Sequence, residues 1–153
     1  MRDLLTLNVL RRHENLALLA FRLLIGGFLI YGVIDNVLSA ERMAEFAVFL
    51  RRFGFPAPEA MALLSVYAQL FCGVAFVLGL FTRWAGLVCA INFVVAIIMV
   101  DRLQGVRASF PAATLVLFGL YMAAHGPGRL ALDALLSGAP RRTRVEPRRT
   151  NSS

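Results

Sequence analysis

The stretch LALLAFRLLIGGFLIYGVIDNVL, residues 16–38, decides the fold of this chain. It is apolar apart from Arg22 and a polar end, and it exceeds the roughly 20 residues with which an α-helix crosses a bilayer. A secretory signal would have a shorter apolar core and a cleavage pattern of small residues, which this stretch lacks. We therefore predict that residues 16–38 form a retained membrane span.

Three further apolar stretches follow the first. The four predicted spans cover residues of about 16–38, 59–81, 84–100 and 108–124. The composition supports them, because 59% of the residues are hydrophobic and only 16% are charged, whereas soluble domains carry about 25% charged residues. A soluble domain of this size could not bury so much apolar surface. The predicted fold class is all-α: a transmembrane four-helix bundle within residues 16–136.

The first loop, residues 39–58, is long enough to hold structure of its own. Met43, Phe46 and Leu50 recur there at helical spacing among charged residues, and Gly54 follows them. This spacing predicts a short amphipathic helix at the membrane surface. The other connections are shorter: a tight turn is predicted at 82–83, and a polar loop at 101–107.

The arginines indicate how the bundle is oriented, because cytoplasmic loops of membrane proteins carry an excess of basic residues. Ten arginines lie on the side that holds the N-terminal segment 1–15, the 82–83 turn and the C-terminal tail, and five lie on the other side. We therefore expect both termini in the cytoplasm and the amphipathic helix in an outer loop. The tail, residues 137–153, is basic and poor in apolar residues, which predicts disorder.

Charge and motif content argue against several function classes. The net charge of +7 comes from arginines at the span ends and in the tail, so we expect no nucleic-acid partner. The chain has two cysteines and two histidines with no CxxC and no Cys/His cluster, whereas a structural zinc site needs about four ligands close together. It also lacks a phosphate-binding loop, a nucleophile elbow and a metalloprotease motif. We predict no catalytic residue and no metal.

The two cysteines fall in neighbouring spans, on either side of the predicted 82–83 turn. At a rise of 1.5 Å per residue, Cys72 would lie about 15 Å from that turn and Cys89 about 7.5 Å. This offset exceeds the roughly 4.4–6.8 Å that separates the Cα atoms of a disulfide. We therefore expect two free thiols that lie apart.

Polar side chains inside the spans are candidates for function, because burying them in a membrane is costly. Arg22 and Asn92 are predicted at similar depths, and with Gln69 and Tyr67 they form a candidate intramembrane polar pocket. Two other interpretations stay open. Arg22 could extend to lipid phosphates, and the two amides could join helices by hydrogen bonds.

Two carboxylates, Asp35 and Asp101, end the first and third spans at the predicted outer rim. If both faced one pocket, they could hold a proton or a cation. Ion pairs with neighbouring arginines are the favoured interpretation.

Four stretches together resemble the DoxX family of small four-helix membrane proteins. They are FRLLIGGFLIYG (21–32), GFPAP (54–58), GLFTRWAG (79–86) and GPGRLALDALL (126–136). The resemblance covers roughly residues 16–136 and implies a bacterial or archaeal plasma membrane. It also implies a redox association, since some relatives are linked to quinone-coupled systems.

The chain departs from the common family pattern at polar positions. Near the end of the first span it has Tyr31 and Asp35 where relatives often have His and Lys, and it has Gln69 where many have Glu. A role that rests on those charges is not expected here.

These observations favour a non-catalytic membrane subunit or scaffold associated with a redox enzyme. Quinone is the cofactor that the resemblance implies, and the expected partners are the lipid bilayer and either a redox enzyme or further copies of this chain. Any enzymatic role would be that of a membrane subunit of an oxidoreductase. The alternative is a small-molecule or proton-coupled carrier that uses Arg22, Asp35 and Asp101, although the chain lacks the internal repeat that transporters often have.

The predicted orientation can be tested with reporter fusions. A reporter that is active only outside the cytoplasm should give signal when fused after Arg52, and none after Arg83 or Arg144, because the arginine excess places the latter two inside. The opposite pattern would contradict the orientation.

Overall fold

A computed structural model describes residues 13–101 and 105–136 as an all-helical chain. Its helices are α1 (Glu14–Leu38), α2 (Ala40–Arg52), α3 (Pro58–Leu78), α4 (Thr82–Met99), α5 (Val106–His125) and α6 (Leu132–Leu136). Four of them, α1, α3, α4 and α5, are long and apolar enough to cross a membrane. The predicted four-helix membrane bundle is therefore confirmed, and a lipid bilayer is its environment. The predicted disorder of the tail concerns residues outside the described ranges.

The bundle is built from two closely packed helix pairs, α1 with α3 and α4 with α5. Gly26 faces Gly73 in the first pair, so that a Cβ atom on Gly26 would lie 2.8 Å from the Gly73 carbonyl oxygen. Gly86 and Gly119 face each other in the second pair in the same way. Small residues let membrane helices approach closely, which matters because lipid supplies no hydrophobic drive between helices. The two pairs meet along a seam between α3 and α4.

Helix α2 confirms the predicted amphipathic helix in the first loop. Its apolar face does not simply rest on the membrane surface, because Ala47 and Leu50 are buried against Ala62 of α3. Arg51, at its end, forms an ion pair with Glu59 in the first turn of α3. Helix α2 is thus fixed to one end of the bundle.

The turn between α3 and α4 lies at residues 79–81, and the prediction that placed it at 82–83 is wrong. Helix α3 ends at Leu78 because Gly79 adopts a left-handed conformation, with φ of 68°, which favours glycine. Thr82 already belongs to α4. The Asp133 carboxylate accepts hydrogen bonds from the backbone N–H groups of Phe81 (2.9 Å) and Thr82 (3.0 Å). This carboxylate supplies partners for the N–H groups that a helix start leaves open.

With the turn at residues 79–81, Cys72 and Cys89 lie at nearly the same depth along the bundle axis. Counted from the end of α3 and from the start of α4, they lie about 9 Å and 10.5 Å into their helices. Both thiols are free, as expected. The predicted offset along the bundle is therefore wrong, and the Cys72 thiol donates a hydrogen bond to the carbonyl oxygen of Ala85, one turn before Cys89 on α4, at 3.2 Å.

The close approach of α1 and α3 predicts different effects for two neighbouring glycines. Gly26→Ala should lower the melting temperature in detergent, because its methyl group would overpack the α3 backbone at a cost of about 1–3 kcal/mol. Gly27→Ala is the matched control, since nothing lies within 4 Å of the Cβ position there. Equal melting temperatures for the two variants would contradict the close approach.

Candidate functional site

Arg22 lies inside the bundle, where its side chain is only 1% exposed. Its Nε donates a hydrogen bond to the carbonyl oxygen of Phe76 at 3.0 Å. Its Nη1 donates to the carbonyl oxygens of Pro127, at 2.5 Å, and Leu130, at 3.1 Å. The interpretation in which Arg22 extends to lipid phosphates is therefore wrong. Its guanidinium binds backbone from α3 and from the segment that follows α5.

The hydrogen bonds of Arg22 hold the end of α3 and the segment after α5 together at one end of the bundle. A helix end leaves backbone carbonyls without intrahelical partners, and Phe76 lies in the last turn of α3. Gly79 leaves room for the guanidinium, since a Cβ atom there would lie 2.6 Å from Nη2. The Asp133 carboxylate also attracts the charge of Arg22. We call Arg22, its three carbonyl partners and Asp133 the arginine latch.

A cavity of about 480 Å³ occupies the seam between α3 and α4. Its walls are mostly apolar, and α2 contributes Phe46, Phe49 and Leu50 to them. The polar residues among its lining are Ser65 and Gln69 of α3, Asn92 of α4, and Asp101. The cavity thus combines a large apolar volume with a few polar groups, which is typical of small-molecule sites.

The two amides of the cavity differ in their hydrogen bonds. Gln69 is half-buried and donates from Nε2 to the Ser65 hydroxyl at 3.1 Å. Asn92 is also half-buried, and it makes no hydrogen bond to any other residue of the described ranges. The Asn92 amide is therefore available to a molecule in the cavity.

The structure brings together only two of the four residues that were predicted to share a polar pocket. Gln69 and Asn92 line the cavity, whereas Arg22 belongs to the arginine latch. Tyr67 is 53% exposed and lies outside the lining of the cavity. Residues two apart do not share a helix face, which explains why Tyr67 and Gln69 diverge. Of the four residues predicted to share the pocket, only the amides Gln69 and Asn92 therefore line one cavity.

The two predicted rim carboxylates also separate. Asp101 lines the cavity, while Asp35 is exposed on α1 and is not part of the lining. Neither forms a salt bridge with another residue of the described ranges, and Arg102 lies outside them. The alternative interpretation, in which both carboxylates face one pocket, is therefore wrong. No group of three or more potential metal ligands occurs within residues 13–101 and 105–136.

The residues that sequence reasoning missed belong to the arginine latch. Pro127, Leu130 and Asp133 lie in the stretch GPGRLALDALL, which was noted for its resemblance alone. A carboxylate after the last span, such as Asp133, is a residue type that caps helix starts. It did not reveal which helix the carboxylate would cap.

Comparison with known families gives one match. The DoxX family model matches residues 17–102, more than half of the chain. No curated protein and no solved structure matches. The matched range holds Arg22, both cavity amides and both cysteines, whereas the latch segment after α5 lies beyond it.

The arginine latch predicts that Arg22→Lys lowers stability. A lysine ammonium is a point charge without the planar fork of arginine, so it cannot keep all three carbonyl contacts. Losing one hydrogen bond to a charged group costs about 1.5–3 kcal/mol, which should appear as a lower melting temperature in detergent. Arg42→Lys is the control, because the exposed ion pair of Arg42 with Glu45 should contribute little. A silent Arg22→Lys substitution would contradict the latch.

Proposed function

The chain belongs to the DoxX family, and on this premise we propose that it is a membrane subunit of a redox system that binds a quinone in the cavity between α3 and α4. One observation carries the proposal: Gln69 and Asn92 both line the same, mostly apolar cavity. A quinone has the matching chemistry, a flat apolar ring with two carbonyl oxygens.

The hydrogen bonds of the cavity suit a carbonyl ligand. An amide carries two N–H donors, and Gln69 uses one of them for Ser65. Asn92 uses neither within the described ranges. Lipid offers such donors no partner. A bound quinone would satisfy one donor on each side of its ring.

The walls of the cavity support entry from the bilayer. Leu64 and Ile91 line the cavity, and they are 63% and 65% exposed on the apolar surface of the bundle. A lipid-soluble quinone would reach the amides through this side opening. A water-soluble substrate would have to cross apolar surface first.

The same contacts favour a binding subunit over a carrier. The carrier hypothesis needs Arg22, Asp35 and Asp101 to face a common path. The Arg22 guanidinium already binds three backbone carbonyls, and Asp35 lies away from the cavity. Of the three, only Asp101 lines the cavity, and the two amides there bind carbonyl groups but do not exchange protons as acids or bases. A redox partner would therefore supply the reaction that consumes or produces the quinone.

We further propose a bacterial or archaeal plasma membrane with both termini in the cytoplasm. The backbone N–H of Arg129 donates to the Asn15 side-chain oxygen at 3.1 Å. This contact puts the start of α1 and the segment after α5 at the same end of the bundle. The excess of arginines on the predicted inner side supports cytoplasmic termini.

Quinone binding can be measured on the purified protein in lipid nanodiscs. Replacing both Gln69 and Asn92 by Leu should weaken the binding of a short-chain quinone about tenfold, since two hydrogen bonds contribute roughly 1–3 kcal/mol together. Tyr67→Phe is the control, because it also removes a polar group from α3 but lies outside the cavity. Equal affinity of the double variant and the wild type, or no binding by the wild type, would overturn the proposal.

A further inference from the structure

The cavity between α3 and α4 contains a carboxylate at the end of the bundle that carries α2. Asp101 lines the cavity there, just beyond the end of α4 at Met99. It lies apart from the two amides, because α4 rises about 10.5 Å between Asn92 and Met99. This carboxylate therefore belongs to a different part of the cavity from the amides.

Asp101 is the only charged residue among the described residues that line the cavity. Arg42 and Arg51 of α2 form ion pairs with glutamates. Arg52 and Arg107 are exposed and lie outside the lining. The cavity thus carries one negative charge among apolar walls, and no arginine of the described ranges forms a salt bridge with it.

Aromatic rings line the same end of the cavity. Phe46 and Phe49 of α2 contribute to it, and so does Phe55, which precedes α3. The rings of Phe46 and Phe49 lie nearly parallel, with centroids 6.2 Å apart and an interplanar angle of 19°. The face of an aromatic ring attracts cations, and aromatic residues recognise quaternary ammonium groups in this way. The carboxylate and the rings therefore favour the same kind of ligand, a cation.

The surroundings of Asp101 argue against a bare metal ion. Calcium takes about six to eight oxygen ligands, and magnesium keeps several of its waters. Asp101 is the only carboxylate among the described residues of the lining, and most of the other lining residues are apolar. A fitting cation would therefore carry its charge on an apolar body.

We propose that this end of the cavity binds a lipophilic organic cation, with Asp101 balancing its charge and Phe46 and Phe49 packing against its apolar groups. A carboxylate in apolar surroundings is costly unless it is paired, so the cation stabilises the site. Such a cation dissolves in the bilayer and can enter past Leu64 and Ile91, which line the cavity and are exposed. This inference goes beyond the proposed function, since it concerns a second class of ligand in a separate part of the cavity.

Binding of tetraphenylphosphonium to the full-length protein in lipid nanodiscs tests the proposal, and empty nanodiscs correct for partition into lipid. Asp101→Asn should weaken saturable binding at least about tenfold, because it removes the charge and keeps the shape. Asp35→Asn is the matched control, since Asp35 is an exposed carboxylate outside the lining. No saturable binding by the wild type, or equal affinities of the wild type and a folded Asp101→Asn variant, would overturn the proposal.

Tetraphenylborate provides a control that needs no substitution. This anion has nearly the shape of tetraphenylphosphonium and the opposite charge, so the wild type should bind none beyond the level of empty nanodiscs. Saturable binding of both ions would show that the cavity does not select for charge and would overturn the role of Asp101.

The aromatic contact is tested by two leucine variants. Phe49→Leu should weaken the binding of tetraphenylphosphonium about two- to fivefold. Phe28→Leu should leave it unchanged, because Phe28 is an exposed residue of α1 outside the lining. Equal affinities of these two variants would overturn the placement of the cation against α2.

The amide variant separates this inference from the proposed function. Gln69→Leu/Asn92→Leu should bind tetraphenylphosphonium with the affinity of the wild type, because the amides lie farther from α2. If this variant loses the cation as well as the quinone, the separate cation site is overturned. A wild type that binds the cation but no quinone would overturn the quinone site alone, and the reverse result would overturn the cation site alone.

Discussion

The buried guanidinium of Arg22 sets the arrangement of one end of this bundle. In a bilayer, polar groups must find partners within the protein, because lipid offers none. Arg22 meets this constraint with the carbonyl groups of Phe76, Pro127 and Leu130. Asp133 adds a negative charge and caps the start of α4. The end of α3, the start of α4 and the segment after α5 are thereby held around one cation of α1.

The opposite end of the seam is organised differently. There α3 and α4 diverge enough to leave a cavity, and α2 packs over it with its phenylalanines. The glycine contacts hold α1 to α3 and α4 to α5, so each pair stays packed although a cavity lies in the seam between the two pairs. The bundle thus combines a closed polar end with an open apolar one. A ligand site at the open end can adapt without disturbing the latch.

Sequence reasoning predicted the spans and α2 well, because hydropathy and helical spacing reflect the bilayer directly. It failed where a distant residue decides the local structure. The turn was misplaced for two reasons: the hydrophobic run continues past Gly79, where α3 in fact ends, and Asp133, which caps α4, comes from beyond the last span. This error also misplaced Cys72 and Cys89 relative to each other along the bundle axis. The four-residue pocket failed because depth can be counted from sequence, whereas rotation about a helix axis cannot. Gln69 and Asn92 share a cavity, while Tyr67 and Arg22 face elsewhere.

The partners of Arg22 also constrain how the chain can assemble during synthesis. The carbonyl groups of Pro127 and Leu130 lie 105 and 108 residues after it in sequence, so they emerge from the ribosome when the other spans have already been made. Until then the first span carries a cation with most of its final partners missing, which a helix in lipid tolerates poorly. The final partners of Arg22 therefore become available only after the last span has been made. A chain truncated after α4 would keep α1 to α4 but lack the carbonyl groups of Pro127 and Leu130 and the carboxylate of Asp133 that surround Arg22.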